Sequence, residues 1–242
     1  MNKKFIYFTA VIALCIGFAS CINITNTSKR GCGNIVTSER TVSAFEEINA
    51  GNSANVRFHI GEEFRAVLSI DENLYEYVEI ETRNNTLRIQ TIRRGSFSPT
   101  QFTVDVYAPT LSGVTLSGVG SFENVEKLIV PSFEMNLSGA GTITGTIESE
   151  NFSARISGAG NIRISGSSKN ADFRLSGAGG LRGSNFIVNN AVARVSGAGS
   201  MDIYVTDDLN ATVSGVGSIS YRGNPPRVES RVSGVGSVNR VN

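Results

Sequence analysis

Over residues 33 to about 109, apolar and polar side chains alternate with a period of two. Val56, Phe58 and Ile60 alternate with Arg57 and His59, Leu68 and Ile70 with Val67 and Ser69, and Phe102, Val104 and Val106 keep the same step. That period predicts half-buried strands. Leu87 and Ile89 come just after Asn84-Asn85, a pair that tolerates positive φ and predicts a hairpin. Asp71-Glu72-Asn73-Leu74 predicts one helical turn with Asp71 as its cap. No longer helical periodicity follows the first segment of the chain.

From residue 111 the pattern becomes a repeat. Ser-Gly-Ala-Gly or Ser-Gly-Val-Gly begins at Ser117, Ser138, Ser157, Ser176, Ser196, Ser214 and Ser233, at intervals of 21, 19, 19, 20, 18 and 19 residues. The residue before each serine is Leu116, Leu137, Ile156, Leu175, Val195, Val213 or Val232, and the fifth residue after it is Phe122, Ile143, Ile162, Leu181, Met201, Ile219 or Val238. Both columns are apolar in every copy. A period near 20 residues marks a solenoid. It is too short for a pair of helices and suits one circuit of short strands, stacked in parallel about 4.8 Å apart.

The tetrapeptide would then be the corner. Positive φ at its two glycines would make a sharp bend, and the Ala or Val between them would point into a narrow lumen. The serine hydroxyl would satisfy backbone groups that a sheet ladder cannot reach. Each buried member of an apolar column contributes roughly 1.5–3 kcal/mol before conformational entropy is subtracted. The predicted fold class is all-β. A parallel β-helix of about seven coils occupies residues 111–242, after a strand-rich N-terminal cap or degenerate coils over 33–110. An antiparallel sandwich with repetitive turns is the competing arrangement.

The first 20 residues read as a signal peptide, with Lys3 and Lys4 ahead of an apolar run over 5–19 that is short for a membrane span. The run ends at Phe18-Ala19-Ser20-Cys21, which resembles a bacterial lipobox, with Phe18 where Leu is usual. This assigns Cys21 as the lipidated residue and 21–32 as a flexible tether. Removing residues 1–20 takes away two of the 22 basic side chains, leaving 20 against 21 acidic ones. No strong field remains to gather nucleic acid. Cys15 leaves with the signal, so Cys32 is a lone thiol in a Gly-Cys-Gly stretch, and no disulfide framework is possible.

Two residues before the motif serines the column reads Thr115, Asn136, Arg155, Arg174, Arg194, Thr212 and Arg231. With Ile156, Leu175 and Val195 facing inward, Arg155, Arg174 and Arg194 should project outward from successive coils, and Arg163 and Arg182 from a second column. A stacked guanidinium ladder can hold the carboxylates or sulfates of an acidic glycan. Glu134, Asp172 and Glu229, two residues earlier, would balance it as a solvated, charge-paired face. No catalytic residue, metal site or cofactor is assigned. His59, the sole histidine, stands in an ordinary strand, the serines belong to corners, and Asp207-Asp208 reads as a loop. A lyase-like Arg working with calcium-bound Asp is the enzymatic alternative. Aromatic sugar platforms are scarce: Trp is absent, and Tyr204 and Tyr221, placed as neighbours on successive coils, are the tyrosines of the repeats. An uncovered last coil at 238–242 would leave strand edges open to end-to-end self-association.

With these features the chain resembles the bacterial autotransporter-adhesin head domain, the head GIN domain. The resemblance rests on GNIVTSERTVSAFEEI near the start, DENLYEYVEIETRNNTLRIQT in the middle and the recurrent Ser-Gly-x-Gly turns. It implies a right-handed β-helix akin to the pectin-lyase architecture, without the lyases' catalytic residues, and an extracytoplasmic, adhesion-like role. The family often carries a small residue where this chain has Cys32, Asn52 and Ala54, so Ala50-Gly51-Asn52-Ser53 reads as a degenerate first corner. The expected protein is a non-enzymatic outer-membrane lipoprotein. It would be held to the membrane through Cys21 and would present a rigid surface to a protein or glycan partner. A periplasmic module binding an acidic glycan or protein is the alternative.

Overall fold

The computed structural model describes residues 29–92 and 97–241; the predicted signal peptide and Cys21 lie outside the described residues. Its first strands are β1 (Lys29–Arg30), β2 (Ile35–Thr41), β3 (Glu47–Ala50), β4 (Asn55–Ile60) and β5 (Arg65–Asp71). A 3-10 turn (Glu72–Tyr77) then leads to β6 (Val78–Arg83), β7 (Thr86–Thr91), β8 (Phe97–Ser98) and β9 (Phe102–Ala108). The hairpin falls where expected: β6 and β7 are antiparallel, and Asn84 and Asn85 have φ of 50° and 63°.

This part of the fold is not in chain order. β7 lies parallel to β3, and β9 lies parallel to β4, so the later segment forms a coil outside the earlier one. β5 pairs antiparallel to β9, and β2 antiparallel to β5. Antiparallel β2, β5 and β6 thus close this end of the stack. Asp71, fully covered, ties the closure together. Its carboxylate accepts hydrogen bonds from the amides of Gly33 and Thr100, each at 2.7 Å, and from the Thr100 hydroxyl at 2.6 Å. The helical turn expected at this point forms, with Asp71 at its N-cap position, but the carboxylate makes no cap bond to it and serves the closure instead.

The repeats follow as β10 (Gly113–Leu116), β11 (Ser121–Asn124), β12 (Leu128–Leu137), β13 (Thr142–Ile156) and β14 (Asn161–Leu175). After them come β15 (Gly180–Val195), β16 (Ser200–Val213), β17 (Ser218–Arg222), β18 (Arg227–Val232) and β19 (Ser237–Arg240). All pair in parallel. One column runs Ile89, Ala50, Leu116, Leu137, Ile156, Leu175, Val195, Val213, Val232, each in register with the next. The other runs Val104, Val56, Phe122, Ile143, Ile162, Leu181, Met201, Ile219, Val238. The architecture is a parallel β-solenoid. In places large side chains sit beside small ones in the interior, as where buried Phe173 registers with Ala154 and Ala193, which leaves room for the ring.

The corners correct three sequence-based expectations. Of the motif glycines only Gly234 has positive φ, at 134°. Val119, Val216 and Val235 are 68%, 64% and 87% exposed, and the intervening alanines are exposed too, so the third residue faces solvent and not the lumen. Nor does the ladder stop at the bend, although the Ser117 and Ser176 hydroxyls do donate to the adjacent coil, to the carbonyls of Ala50 and Ile156 at 3.4 and 3.5 Å. Ser157, Ala159 and Asn161 amides donate to the carbonyls of Leu137, Gly139 and Gly141 at 2.9, 3.1 and 3.0 Å, and the same set recurs from coil to coil. Glycine is needed for proximity. A Cβ on Gly158 would lie far inside contact distance of the Gly139 carbonyl oxygen, and one on Gly160 would come within 2.8 Å of Leu137 Cδ2. The Ala50–Ala54 stretch stacks the same way: the Val119 amide donates to the Asn52 carbonyl at 2.7 Å, with Asn52 at φ 57°.

Two outcomes follow for stability. Gly158→Ala is expected to cost about 1–3 kcal/mol by overpacking, and Ala159→Ser to stay within about 0.5 kcal/mol; urea unfolding of the pair checks this. Asp71 supplies an acid-sensitive contribution. Burial pushes its carboxyl up, but the Thr100 and Gly33 donors outweigh burial and hold it below the ordinary Asp value. Its stabilisation is then complete above the unfolded value of about 3.9 and lost as pH falls through the lower native one. Asp71→Asn should destabilise by about 1–3 kcal/mol at neutral pH, with the gap from wild type narrowing in acid.

Candidate functional site

In the repeat coils the residues leading into each corner form one outward face. Alternation exposes four columns, at six, four and two residues before the serine and at the serine itself. The outermost column carries Asn151, Asn170 and Asn190, followed by Asp208 and Arg227, all in register. Asn170 donates to Asn151 Oδ1 and Asn190 donates to Asn170 Oδ1, each at 3.1 Å, which makes an amide ladder along the axis. Asp208 receives Arg227 Nε at 2.8 Å. Asp207-Asp208 is therefore part of β16 and not a loop. The sequence reading passed over this ladder, although Asn recurs six residues before three successive serines.

Two columns on, Arg155 registers with Arg174, and Arg174 with Arg194. All three are exposed. Each meets an acid on its own or the adjacent coil, which relieves the repulsion of stacked like charges. Arg155 pairs with Glu134. Arg174 grips Asp172 through Nε and Nη2, the latter at 2.7 Å, and Arg194 Nη1 reaches the same carboxylate at 3.5 Å. The hydrogen bond to Asp172 raises the Arg174 pKa above its ordinary value. Three guanidinium groups thus share two carboxylates.

Grooves flank this face. One of about 460 Å³ runs between the arginines and the corner serines, lined by Arg155, Arg174, Arg194, Ser157, Ser176 and Ser196 among others. The second, about 530 Å³, follows the amide ladder and includes Asp172, Asp208 and Glu229. Both grooves cross several coils, so a ligand lying along the axis would meet equivalent groups repeatedly.

Residues 44–225, three quarters of the chain, match the family described as "Putative auto-transporter adhesin, head GIN domain". The chain belongs to this family. Solved structures of similar shape include a "putative adhesin" from Bacteroides fragilis, with TM-score 0.83 and 21% identity over 88% of this chain and 100% of that one. A "putative lipid binding protein" from Parabacteroides distasonis has TM-score 0.76 and 25% identity over 89% and 100%. A "putative adhesin" from Parabacteroides merdae has TM-score 0.72 and 22% identity over 89% and 99%. The likeness to the two adhesins establishes the fold. No curated relative matches the chain.

Elsewhere on this head GIN protein, His59 lies beside Asp105, with Nε2 3.2 Å from Oδ1, and stacks on Tyr107 at 4.8 Å. Arg57 holds the same carboxylate at 2.7 Å. Burial pushes Asp105 up, and its bonds to Arg57 and His59 bring it below the ordinary value. On its other side, His59 Nδ1 lies 3.7 Å from Glu126 Oε1, so a carboxylate stands at each ring nitrogen. Tyr204 and Tyr221 lie on successive coils, one residue out of register, Tyr221 opposite Ile203 and Tyr204 opposite Arg222, so alternation turns them to opposite faces of the sheet. Cys32 is exposed with a free thiol. Among the described residues no three His, Cys, Asp or Glu side chains converge, and no helix is long and apolar enough to cross a membrane.

The Arg–Asp contacts sit in water, where such pairs contribute little. Asp172→Ala should change the unfolding free energy by no more than about 1 kcal/mol. A larger loss in thermal or urea unfolding would make the ladder a structural brace.

Proposed function

We propose that this head GIN protein is a non-catalytic binding module of the cell envelope, anchored to the outer membrane through lipidated Cys21, and that it takes an acidic glycan on the Arg155–Arg174–Arg194 face. Membership of an adhesin-like family supports export and an adhesive role. The observation that carries the ligand class is the sharing of Asp172 by Arg174 and Arg194 beside an open groove. A carboxylate or sulfate arriving there completes a set of guanidinium donors left short of acceptors by one. It does so in the planar, forked geometry that guanidinium favours. The Asn and Ser columns on either side offer amide and hydroxyl groups to sugar hydroxyls. Contacts of this kind are weak singly and gain from repetition along the stack.

A glycan array should show binding to carboxylated or sulfated chains that weakens with salt. The Arg155→Ala/Arg174→Ala/Arg194→Ala variant should lose at least about tenfold in affinity, about 1.4 kcal/mol. Retained binding by that variant would reject the ladder as the site. Release of unsaturated sugar products in the presence of calcium would reject the non-catalytic reading. On intact cells, an adhesive role requires that protease shaving remove the protein; protection would assign the same face to a periplasmic ligand.

A further inference from the structure

The two ends of the stack are finished differently. At one end antiparallel β2, β5 and β6 cover the first coils. At the other, β18 pairs with β16 on one side, and no strand of the described residues pairs with its second side. All six of its residues are exposed. Val228 and Val232 are 39% and 47% exposed, although they continue columns in which Leu209 and Val213 are 3% and 0% exposed. A straight strand with open backbone groups and apolar side chains is a template for another strand.

The direction of the open groups follows from the ladder. The Ser233 amide donates back to the Val213 carbonyl at 2.8 Å. Alternation then turns Arg227, Glu229 and Arg231 backbone groups towards β16, and leaves the N–H and C=O of Val228, Ser230 and Val232 on the open side. We propose that this edge is a dimer interface, in which β18 pairs antiparallel with β18 of a second copy about a two-fold axis at Ser230. In that register Ser230 faces its own copy and Val228 faces Val232 of the second copy, and each pair exchanges both N–H···O bonds. Glu229 then stands opposite Arg231 of the second copy, twice by symmetry.

Neighbouring registers are worse. Centring on Glu229 sets Glu229 against itself and Arg227 against Arg231. Centring on Arg231 sets two arginines face to face. Centring on Val228 puts Ser230 against Pro226, which has no N–H to give. Centring on Val232 runs the pair off the strand and into the corner at 233–236. The sequence Arg-Val-Glu-Ser-Arg-Val is therefore self-complementary in one antiparallel alignment. On the coil beneath, Glu229 and Arg231 register with the neutral Asn210 and Thr212, so exchanging their charges leaves that contact electrically unchanged.

Sedimentation velocity of the full chain over rising concentration should show monomer passing to dimer, and no larger species through this edge. Glu229→Arg or Arg231→Glu alone should weaken dimerisation at least about tenfold, since each places like charges opposite one another twice. The Glu229→Arg/Arg231→Glu double variant should restore it, and its recovery also shows that both substitutions are compatible with folding. A monomer at every concentration, single variants that dimerise like wild type, or a double variant that stays monomeric would each overturn the proposal.

Discussion

The structure depends on how closely one corner can lie on the next. Backbone hydrogen bonds run through the bend itself, from the Ala159 amide to the Gly139 carbonyl and from Asn161 to Gly141, so successive corners are held at ladder distance. At that distance a Cβ on the inner residues would enter the carbonyl below. Glycine at both flanking positions removes the obstruction, and the chain can turn without giving up its ladder. The usual use of glycine in turns is to reach positive φ. Here the close approach of two backbones is the operative constraint, and it acts at each of the Ser-Gly-x-Gly corners.

Because the corners superpose, everything between them superposes as well. A one-residue mismatch in a strand would swap its faces. Three of the six intervals between corners depart from 19 residues, yet the columns stay aligned. The variation is absorbed away from the corner, where the pairing of β14 with β15 and of β15 with β16 shifts register. The apolar columns stay inside, and whatever the sequence writes two, four or six residues before the serine becomes a line of chemistry parallel to the axis. Stacked arginines would be costly alone. Glu134 and Asp172, two residues nearer the N-terminus on the same face, reduce that cost while remaining in water.

The repeat half was legible because translation maps sequence columns onto spatial ones: Leu137, Ile156, Leu175 and Val195 touch as their positions required. The Asn84-Asn85 hairpin was legible from local backbone preference. The insertion of β7 and β9 outside β3 and β4 was not, since alternation identifies strands and says nothing of their order. Asp71 stands at the cap position read for it, but the role of its side chain was missed for a related reason. Its partners, Gly33 and Thr100, are distant in sequence, and a capping pattern was the nearest local explanation. At the face, the arginine column drew attention through charge, whereas the asparagine column beside it carries none and passed as strand filler. Reading every polar column at the repeat period would have found it.

A surface made this way favours one style of recognition. Active sites gather unlike groups around one point, and a translational stack instead repeats like groups along a line. Its grooves are shallow and cross several coils, so no single contact is desolvated enough to be strong. Such a face gains affinity by engaging a partner that is itself periodic, because once one unit is seated the next meets its site at high effective concentration. A linear glycan has that property and a compact metabolite does not. The same geometry that forbids a side chain at the corner glycines therefore points the exposed columns towards extended ligands.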